Sequence, residues 1–173
     1  MRQPASLFRV RATAPAGSAR LIYCPAMAHY YEDFELNAES TTPGRTITEA
    51  DIVNFAGLTG DWYELHTNVE YAAKTQFGQR IAHGALIFSI STALNVRVMP
   101  PGNTLIAFYG VEKLRFVKPT FIGDTIYCRN TVIEKREKNA ASGVVGSLCE
   151  VVNQRGEVVI SYTSQALWQR RPA

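Results

Sequence analysis

The chain has 173 residues, 46% of them hydrophobic, and a formal net charge of +3. This length and composition fit one domain with a sizeable core and exclude a disordered or fibrous protein. No apolar run approaches the roughly 20 residues that span a bilayer. We therefore expect a soluble protein without a membrane partner.

The positive charge is concentrated at the amino terminus. The first 28 residues contain no acidic residue, and the remaining 145 carry 14 basic and 15 acidic side chains; the basic residues of the first segment are Arg2, Arg9, Arg11 and Arg20. A nucleic-acid-binding domain carries a basic patch on its folded part. The near-neutral remainder therefore argues against a nucleic-acid partner.

Residues 1–28 form a separate compositional block, rich in Arg, Ala, Ser and Pro. They lack the apolar segment of a secretory signal, which disfavours export. Two interpretations stay open: an organellar transit peptide, or a disordered or non-native extension before a start at Met27. We favour the extension, because prolines interrupt the amphipathic helix that a transit peptide needs. This places the folded domain at residues 29–173 and favours a cytoplasmic location.

The three cysteines are an odd number in a chain too large to need disulfides for its stability. Cys128 and Cys149 fall in strand-like runs, whereas Cys24 lies in the first segment. Free cysteines are among the most buried residue types. We predict that Cys128 and Cys149 are buried thiols in a reducing compartment.

In chain order, residues 30–36 (YYEDFEL) alternate weakly and predict a first edge strand. Pro43-Gly44 marks a turn. Thr48, with Asp51 three residues later, resembles a capping box and predicts a short helix that Gly57 or Gly60 ends. Residues 61–66 then form a loop, and a second short helix covers residues 69–74.

Residues 85–98 (ALIFSISTALNVRV) predict a long helix that Pro100-Pro101-Gly102 terminates. The segment has no helix breaker and almost no charge, so this helix must be buried. Its first turn is different, because the N–H groups at a helix start have no partner within the helix.

The last 70 residues predict antiparallel strands. Residues 104–109 and 111–117 fit one long bent strand with Gly110 as a bulge. The other strands are predicted over residues 125–135, 144–153 and 158–168, with a hairpin at 154–156. The charged residues 134–138 predict a solvated hairpin tip. One buried helix against such strands is an α+β fold.

The candidate site is an acid and a histidine, Asp61 and His66, five residues apart. His83-Gly84 follows seventeen residues later and opens the long helix. A carboxylate and an imidazole beside helix N-terminal amides can activate water and stabilise an oxyanion. The spacing of Asp61, His66 and His83 matches no zinc pattern, so we predict no metal. No glycine-rich phosphate loop is present, so we predict no nucleotide or flavin cofactor.

These residues resemble the MaoC-like dehydratases, the (R)-specific enoyl-CoA hydratase branch of the hot-dog fold. The resemblance covers roughly residues 30–167 and is carried by three blocks. The first block is Phe55, Thr59-Gly60-Asp61, Leu65-His66 and Ala72. The second is Phe77-Gly78 with Arg80-Ile81-Ala82-His83-Gly84, and the third is Gly123-Asp124-Thr125.

The resemblance implies a central helix of about six turns wrapped by a curved antiparallel sheet, in a homodimer or a dimer of dimers. It also implies a hydro-lyase of fatty acid metabolism that adds water reversibly to a trans-2-enoyl thioester, with coenzyme A present only as part of the substrate. Asp61 and His66 would be catalytic, and Gly84, Ala85, His83 and Tyr63 would bind substrate. The alternatives are a hot-dog acyl-CoA thioesterase and a non-catalytic acyl-thioester-binding protein.

One departure from the family pattern lies inside the first block. Where the family has Asn-Pro, this chain has Tyr63-Glu64. The spacing from Asp61 to His66 is kept, so the acid–base pair can still form. The change puts the rigidity of the loop and the shape of the pocket wall in question, and we expect Glu64 to face water.

Overall fold

The computed structural model describes residues 28–172, which form one sheet, four α-helices and a short 3-10 helix. The prediction for residues 1–28 concerns residues outside this range, apart from Ala28, and stays a prediction. The helices are α1 (Glu49–Thr59), α2 (Glu64–Thr67), α3 (Val69–Ala73) and α4 (Gly84–Val96). The strands are β1 (Glu39–Thr41), β2 (Arg45–Thr46), β3 (Leu105–Phe116), β4 (Thr125–Asn139), β5 (Ser142–Asn153) and β6 (Val158–Gln169).

The sheet is antiparallel, with strand order β1-β4-β5-β6-β3 and with β2 paired to the other end of β4. β5 is central and nine of its twelve residues are buried, whereas β3 forms an open edge. The α+β class predicted from the sequence is confirmed. Among the residues described, no helix is long and apolar enough to cross a membrane.

α4 packs against this sheet through one apolar side. The buried residues of its helical face and of the facing strands form the main core, which includes Leu86, Ile87, Ile90, Leu94, Cys128, Cys149, Val151, Ile160 and Tyr162. The prediction that Cys128 and Cys149 are buried free thiols is confirmed. Because the helix is held along its length by this core, its first turn is fixed relative to the sheet.

The start and end of α1 follow the sequence signals. The Thr48 side chain accepts the N–H of Asp51, and the Asp51 carboxylate accepts the N–H of Thr48 at 2.8 Å. This capping box satisfies two N–H groups that would otherwise lack partners. The helix ends at Gly60, whose φ of 78° lies in the left-handed region that glycine adopts freely.

Two predictions about the sheet are confirmed. β3 is one long strand, and its register with β6 shifts between Phe108 and Gly110, as expected for a bulge. The β5–β6 hairpin turns at residues 154–156, where Gly156 has a φ of 78°.

Three predictions are wrong in detail. Residues 30–36 form no strand; Tyr31–Asp33 is a 3-10 helix, because the Asp33 carboxylate accepts the N–H of Tyr30 at 2.9 Å and Tyr31 is buried. Residues 134–138 are not a hairpin tip but continue β4, since their backbone pairs with β5 while all of their side chains except that of Lys135 are exposed. α4 has 13 residues, which is fewer than four turns rather than about six.

Candidate active site

Asp61 directly follows α1. Gly60 donates its N–H to the carbonyl of Ala56 at 2.8 Å and turns the chain out of the helix. The exposed Asp61 carboxylate accepts the N–H of Tyr63 at 3.3 Å, and this side-chain turn precedes α2. His66 was expected in a loop, but the structure places it in α2, which holds its ring more firmly than a loop would.

His66 is oriented by a backbone carbonyl. Its Nδ1 lies 2.8 Å from the carbonyl oxygen of Ile81. Because a carbonyl oxygen can only accept, Nδ1 carries the proton and Nε2 keeps its lone pair in the neutral ring. His66 therefore presents a proton acceptor on the side away from Ile81, in the tautomer that a general base requires.

His83 lies behind His66. The two rings are 3.9 Å apart between centroids and tilted by 33°, and His83 is only 2% exposed. Its Nε2 donates to the backbone carbonyl of Asp61 at 3.0 Å and so ties the loop after α1 to the start of α4. Its Nδ1 is buried and has no hydrogen-bond partner among the described residues.

The surroundings keep His66 neutral. Burial, the largest effect, lowers the pKa of His66 below its ordinary value. The Ile81 carbonyl and the Asp61 carboxylate act in the opposite direction, whereas His83 lowers the pKa further. Since the lowering effects prevail, His66 is available as a base at neutral pH.

Folding brings the three titratable side chains together. Asp61, His66 and His83 each offer one oxygen or nitrogen atom, and these atoms lie within 4.8 Å of one another. Each imidazole already uses one nitrogen on a backbone carbonyl, which leaves the second nitrogen of each ring unused, and that of His83 is buried. The absence of a metal from these three residues stays a prediction, because it rests on their spacing along the chain alone.

The first turn of α4 lines a cavity of about 500 Å³ beside His66. His66, Gly84 and Ala85 contribute to its wall; the other lining residues are Phe77, Ile81, Ala82, Ile87, Phe116–Thr120 and Ile160. The structure thus brings three of the six predicted residues to one cavity. His83 is buried against His66, whereas Asp61 and Tyr63 are exposed.

A larger hollow of about 950 Å³ lies elsewhere, between the β4–β5 turn and residues 169–172. None of its lining residues is a histidine, a cysteine or an acid. It therefore offers no group suited to acid–base catalysis, and the smaller cavity beside His66 is the candidate active site.

Tyr63 and Glu64, the departure from the family pattern, have separate roles. The Tyr63 hydroxyl lies 3.1 Å from the hydroxyl of Tyr71 and links the start of α2 to α3. The Tyr63 ring also contacts His66 edge-on, with centroids 6.0 Å apart. Glu64 is exposed, as predicted, and accepts a hydrogen bond from Asn68 at 3.1 Å.

Two features of the site have no signal in the sequence. The Ile81 carbonyl fixes the tautomer of His66, but a backbone acceptor leaves no trace in residue type. Phe116 covers Gly84 so closely that a Cβ on Gly84 would lie 2.7 Å from its ring. A side chain at position 84 would therefore force the Phe116 ring to move.

The family model for the MaoC like domain matches residues 35–153 of this sequence, more than two thirds of the chain. This chain belongs to the MaoC-like family. It is 43% identical over 113 residues to Protein MaoC of Klebsiella aerogenes, a match that covers 65% of this chain. It is 42% identical over 105 residues (60% of this chain) to the (R)-specific enoyl-CoA hydratase of Rhodospirillum rubrum. The 3-hydroxybutyryl-CoA dehydratase of Methylorubrum extorquens is 37% identical over 106 residues, 61% of this chain.

This MaoC-like chain spans only part of those relatives. The matches cover 33% of the Klebsiella protein, 69% of the Rhodospirillum protein and 64% of the Methylorubrum protein. The family resemblance drawn from the sequence blocks is confirmed, and the named relatives include hydratases and dehydratases.

Solved structures show the same fold. A monoamine oxidase regulatory protein from Archaeoglobus has a TM-score of 0.79 at 41% identity, over 83% of this chain and 96% of that one. An (R)-hydratase from Pseudomonas aeruginosa has a TM-score of 0.68 at 31% identity, over 82% and 86%. A double hot-dog protein of Mycobacterium tuberculosis, 18% identical with a TM-score of 0.72 over 83% and 45%, shares the fold alone. The predicted hot-dog fold is confirmed.

Proposed function

We propose that this MaoC-like protein adds water reversibly to a trans-2-enoyl thioester of coenzyme A and forms the (R)-3-hydroxyacyl thioester. The observation that carries the proposal is the convergence of Asp61, His66 and His83 within 4.8 Å, at the start of α4. The names of the Rhodospirillum and Methylorubrum relatives, an (R)-specific enoyl-CoA hydratase and a 3-hydroxybutyryl-CoA dehydratase, support the reaction class.

In the proposed mechanism one water molecule is held between Asp61 and His66. The lone pair of His66 Nε2 takes a proton from this water molecule while the water oxygen forms a bond to C3 of the substrate. The Asp61 carboxylate accepts the second O–H and fixes the direction of attack. A proton from the same pair is then delivered to C2, which returns both side chains to their starting state.

The negative charge that develops on the thioester oxygen needs hydrogen-bond donors. In α4 the N–H of Ile87 is bonded to the carbonyl of His83 at 3.2 Å, so the N–H groups of Gly84 and Ala85 precede the hydrogen-bond ladder of the helix. The positive end of the helix dipole lies at the same place. We assign these N–H groups to the thioester oxygen and the neighbouring cavity to the acyl group.

We also propose that two copies pair through β3. This strand is an open edge and carries large exposed apolar side chains, namely Ile106, Phe108, Tyr109 and Phe116. An exposed apolar edge strand is a ready surface for pairing with another chain. Phe116 lies at the candidate active site, so such pairing would border it. A monomeric mass by light scattering would contradict this pairing.

The test follows the loss of enoyl absorbance with crotonyl-CoA and with longer enoyl-CoA substrates. Asp61→Asn and His66→Ala are each expected to lower kcat by about 10²–10⁴-fold, because general acid–base groups contribute on that order. His29→Ala and Glu70→Gln, a histidine and a carboxylate outside the site, are the matched controls and should stay near wild type.

Other outcomes separate the alternatives. Release of free thiol without loss of the enoyl group would indicate a thioesterase. Binding of acyl-CoA without either reaction would indicate a non-catalytic binding protein. Activity that survives in both Asp61→Asn and His66→Ala would refute the assigned residues.

A further inference from the structure

Asp124 is a buried acid that does not belong to the group of Asp61, His66 and His83. It is 3% exposed, and its carboxylate accepts hydrogen bonds from Arg155 at 2.8 and 3.3 Å and from Gln154 at 2.7 Å. Burial would raise the pKa of Asp124, but the bonds from Arg155, the N–H of Phe121 and Gln154 hold it below its ordinary value. Asp124 is therefore an ionised, fully bonded and fixed group.

Asp124 holds the backbone of Phe121 on one side. Its carboxylate accepts the N–H of Phe121 at 2.9 Å, and its own N–H donates to the carbonyl of Phe121 at 3.1 Å. Both polar backbone groups of Phe121 are thus bonded to one residue. The segment that precedes Asp124 has little freedom to move away from the β5–β6 turn that carries Arg155.

The other side of Phe121 faces the active site. Phe121 forms an isolated antiparallel bridge with Ile81, and the neighbouring Thr120 carbonyl accepts the N–H of Ala82 at 2.8 Å. The carbonyl of Ile81 is the acceptor for His66 Nδ1. The backbone that orients His66 is therefore supported by the segment that Asp124 holds.

We propose that Asp124 and Arg155 are positioning residues for His66: the pair holds the Phe121 segment against Ile81, so that the Ile81 carbonyl stays in place to fix the His66 tautomer. The effect of the pair on turnover rests on the proposed hydratase function. The effect on the tautomer does not, and it is measurable without substrate.

Arg155→Gln is the main test variant, because the arginine side chain is about half exposed and its replacement removes the ion pair without leaving a cavity in the core. Arg155→Lys keeps the positive charge of the ion pair, and Asp124→Asn removes its buried negative charge. The control is Arg129→Gln, which removes an arginine of matching exposure and breaks its ion pair, 3.1 Å to the more exposed Glu150, on β4 and β5 away from the cavity.

Nitrogen-15 NMR of the imidazole rings reports which nitrogen of His66 carries the proton, with His66→Ala used to assign the signals. In the wild type and in Arg129→Gln we expect the Nδ1–H form. In Arg155→Gln and Asp124→Asn we expect a measurable share of the Nε2–H form and a kcat about 10–100-fold lower, the scale for misplaced catalytic groups. Arg155→Lys should restore part of both.

An unchanged tautomer in both Arg155→Gln and Asp124→Asn would overturn the proposal. Equal losses in Arg129→Gln would also overturn it, since they would indicate general destabilisation. If the tautomer shifts but the wild type hydrates no enoyl-CoA, the proposed function fails while the positioning role stands.

Discussion

Substituting alanine for Gly84 separates the structural and chemical demands on the start of α4. A methyl group on Gly84 would lie 2.7, 2.8 and 3.1 Å from three ring carbons of Phe116. Ordinary contacts between carbon atoms are about 3.5–4.0 Å, so the ring must move by several tenths of an ångström or more. Phe116 is 58% exposed and can swing toward solvent, which limits the steric cost.

The expected change in stability is small. Overpacking costs about 1–3 kcal/mol, and replacing glycine by alanine in a helix returns about 1 kcal/mol. We therefore expect Gly84→Ala to lower the free energy of unfolding by about 0–2 kcal/mol. The effect on activity is expected to be larger. Alanine keeps the backbone N–H, but its methyl group would hinder the approach of the thioester oxygen to it, and an oxyanion donor that cannot be reached costs about 10²–10³-fold in kcat, or 2.7–4 kcal/mol.

Gly57→Ala is the matched control. Gly57 lies in α1, and a methyl group there would have no neighbour within 4 Å. This variant should be more stable than wild type by about 0.5–1 kcal/mol and fully active. Urea unfolding measures the stability of both variants, and the loss of enoyl absorbance measures their activity.

A double variant tests why Gly84→Ala loses activity. Phe116→Ala in the Gly84→Ala background removes the clash and should recover stability. It should not restore kcat, since the methyl group still blocks the approach of the thioester oxygen. A folded Gly84→Ala protein with wild-type kcat/KM would refute the assignment of this N–H to the oxyanion.

The lowered pKa of His66 gives two further expectations. The unfolded state binds the proton of His66 more readily than the folded state does. The stability contributed by neutral His66 is therefore complete above a pH of about 6.5 and is lost as the pH falls through the pKa of His66 in the folded protein. In unfolding experiments, His66→Ala should flatten this dependence of stability on pH. The acidic limb of the pH profile of kcat/KM should lie below pH 6.5, and a limb at or above 6.5 would contradict the lowering of the His66 pKa by burial. Any residual activity of Asp61→Asn should show an acidic limb at still lower pH, because Asp61 raises the pKa of His66. Tyr162→Phe removes a buried hydroxyl that lies 2.9 Å from the hydroxyl of Ser91 and should lower the free energy of unfolding by about 0.5–1.5 kcal/mol. Tyr109→Phe, at a half-exposed position, is the control and should lower it by less than about 0.5 kcal/mol. Denaturant unfolding measures both.

Much of the fold could be predicted because its signals are local. The capping pair Thr48 and Asp51 and the left-handed Gly60 act within a few residues of the chain, so their sequence spacing is enough. The apolar run of α4 requires burial whatever surrounds it. The prediction of a hairpin tip at residues 134–138 was wrong because a charged run can pair its backbone in a strand while most of its side chains stay in water.

The sequence by itself determined the family, the α+β class and the presence of an acid and a histidine before a glycine-started helix. Only the tertiary structure decided how those groups are held. The Ile81 carbonyl orients His66, and the Asp61 carbonyl pairs with His83. Backbone acceptors are common to every residue type, so residue identity cannot reveal which of them a side chain reaches. That choice depends on segments distant in the chain, among them the bridge from Ile81 to Phe121, which exist only once the sheet and α4 have packed.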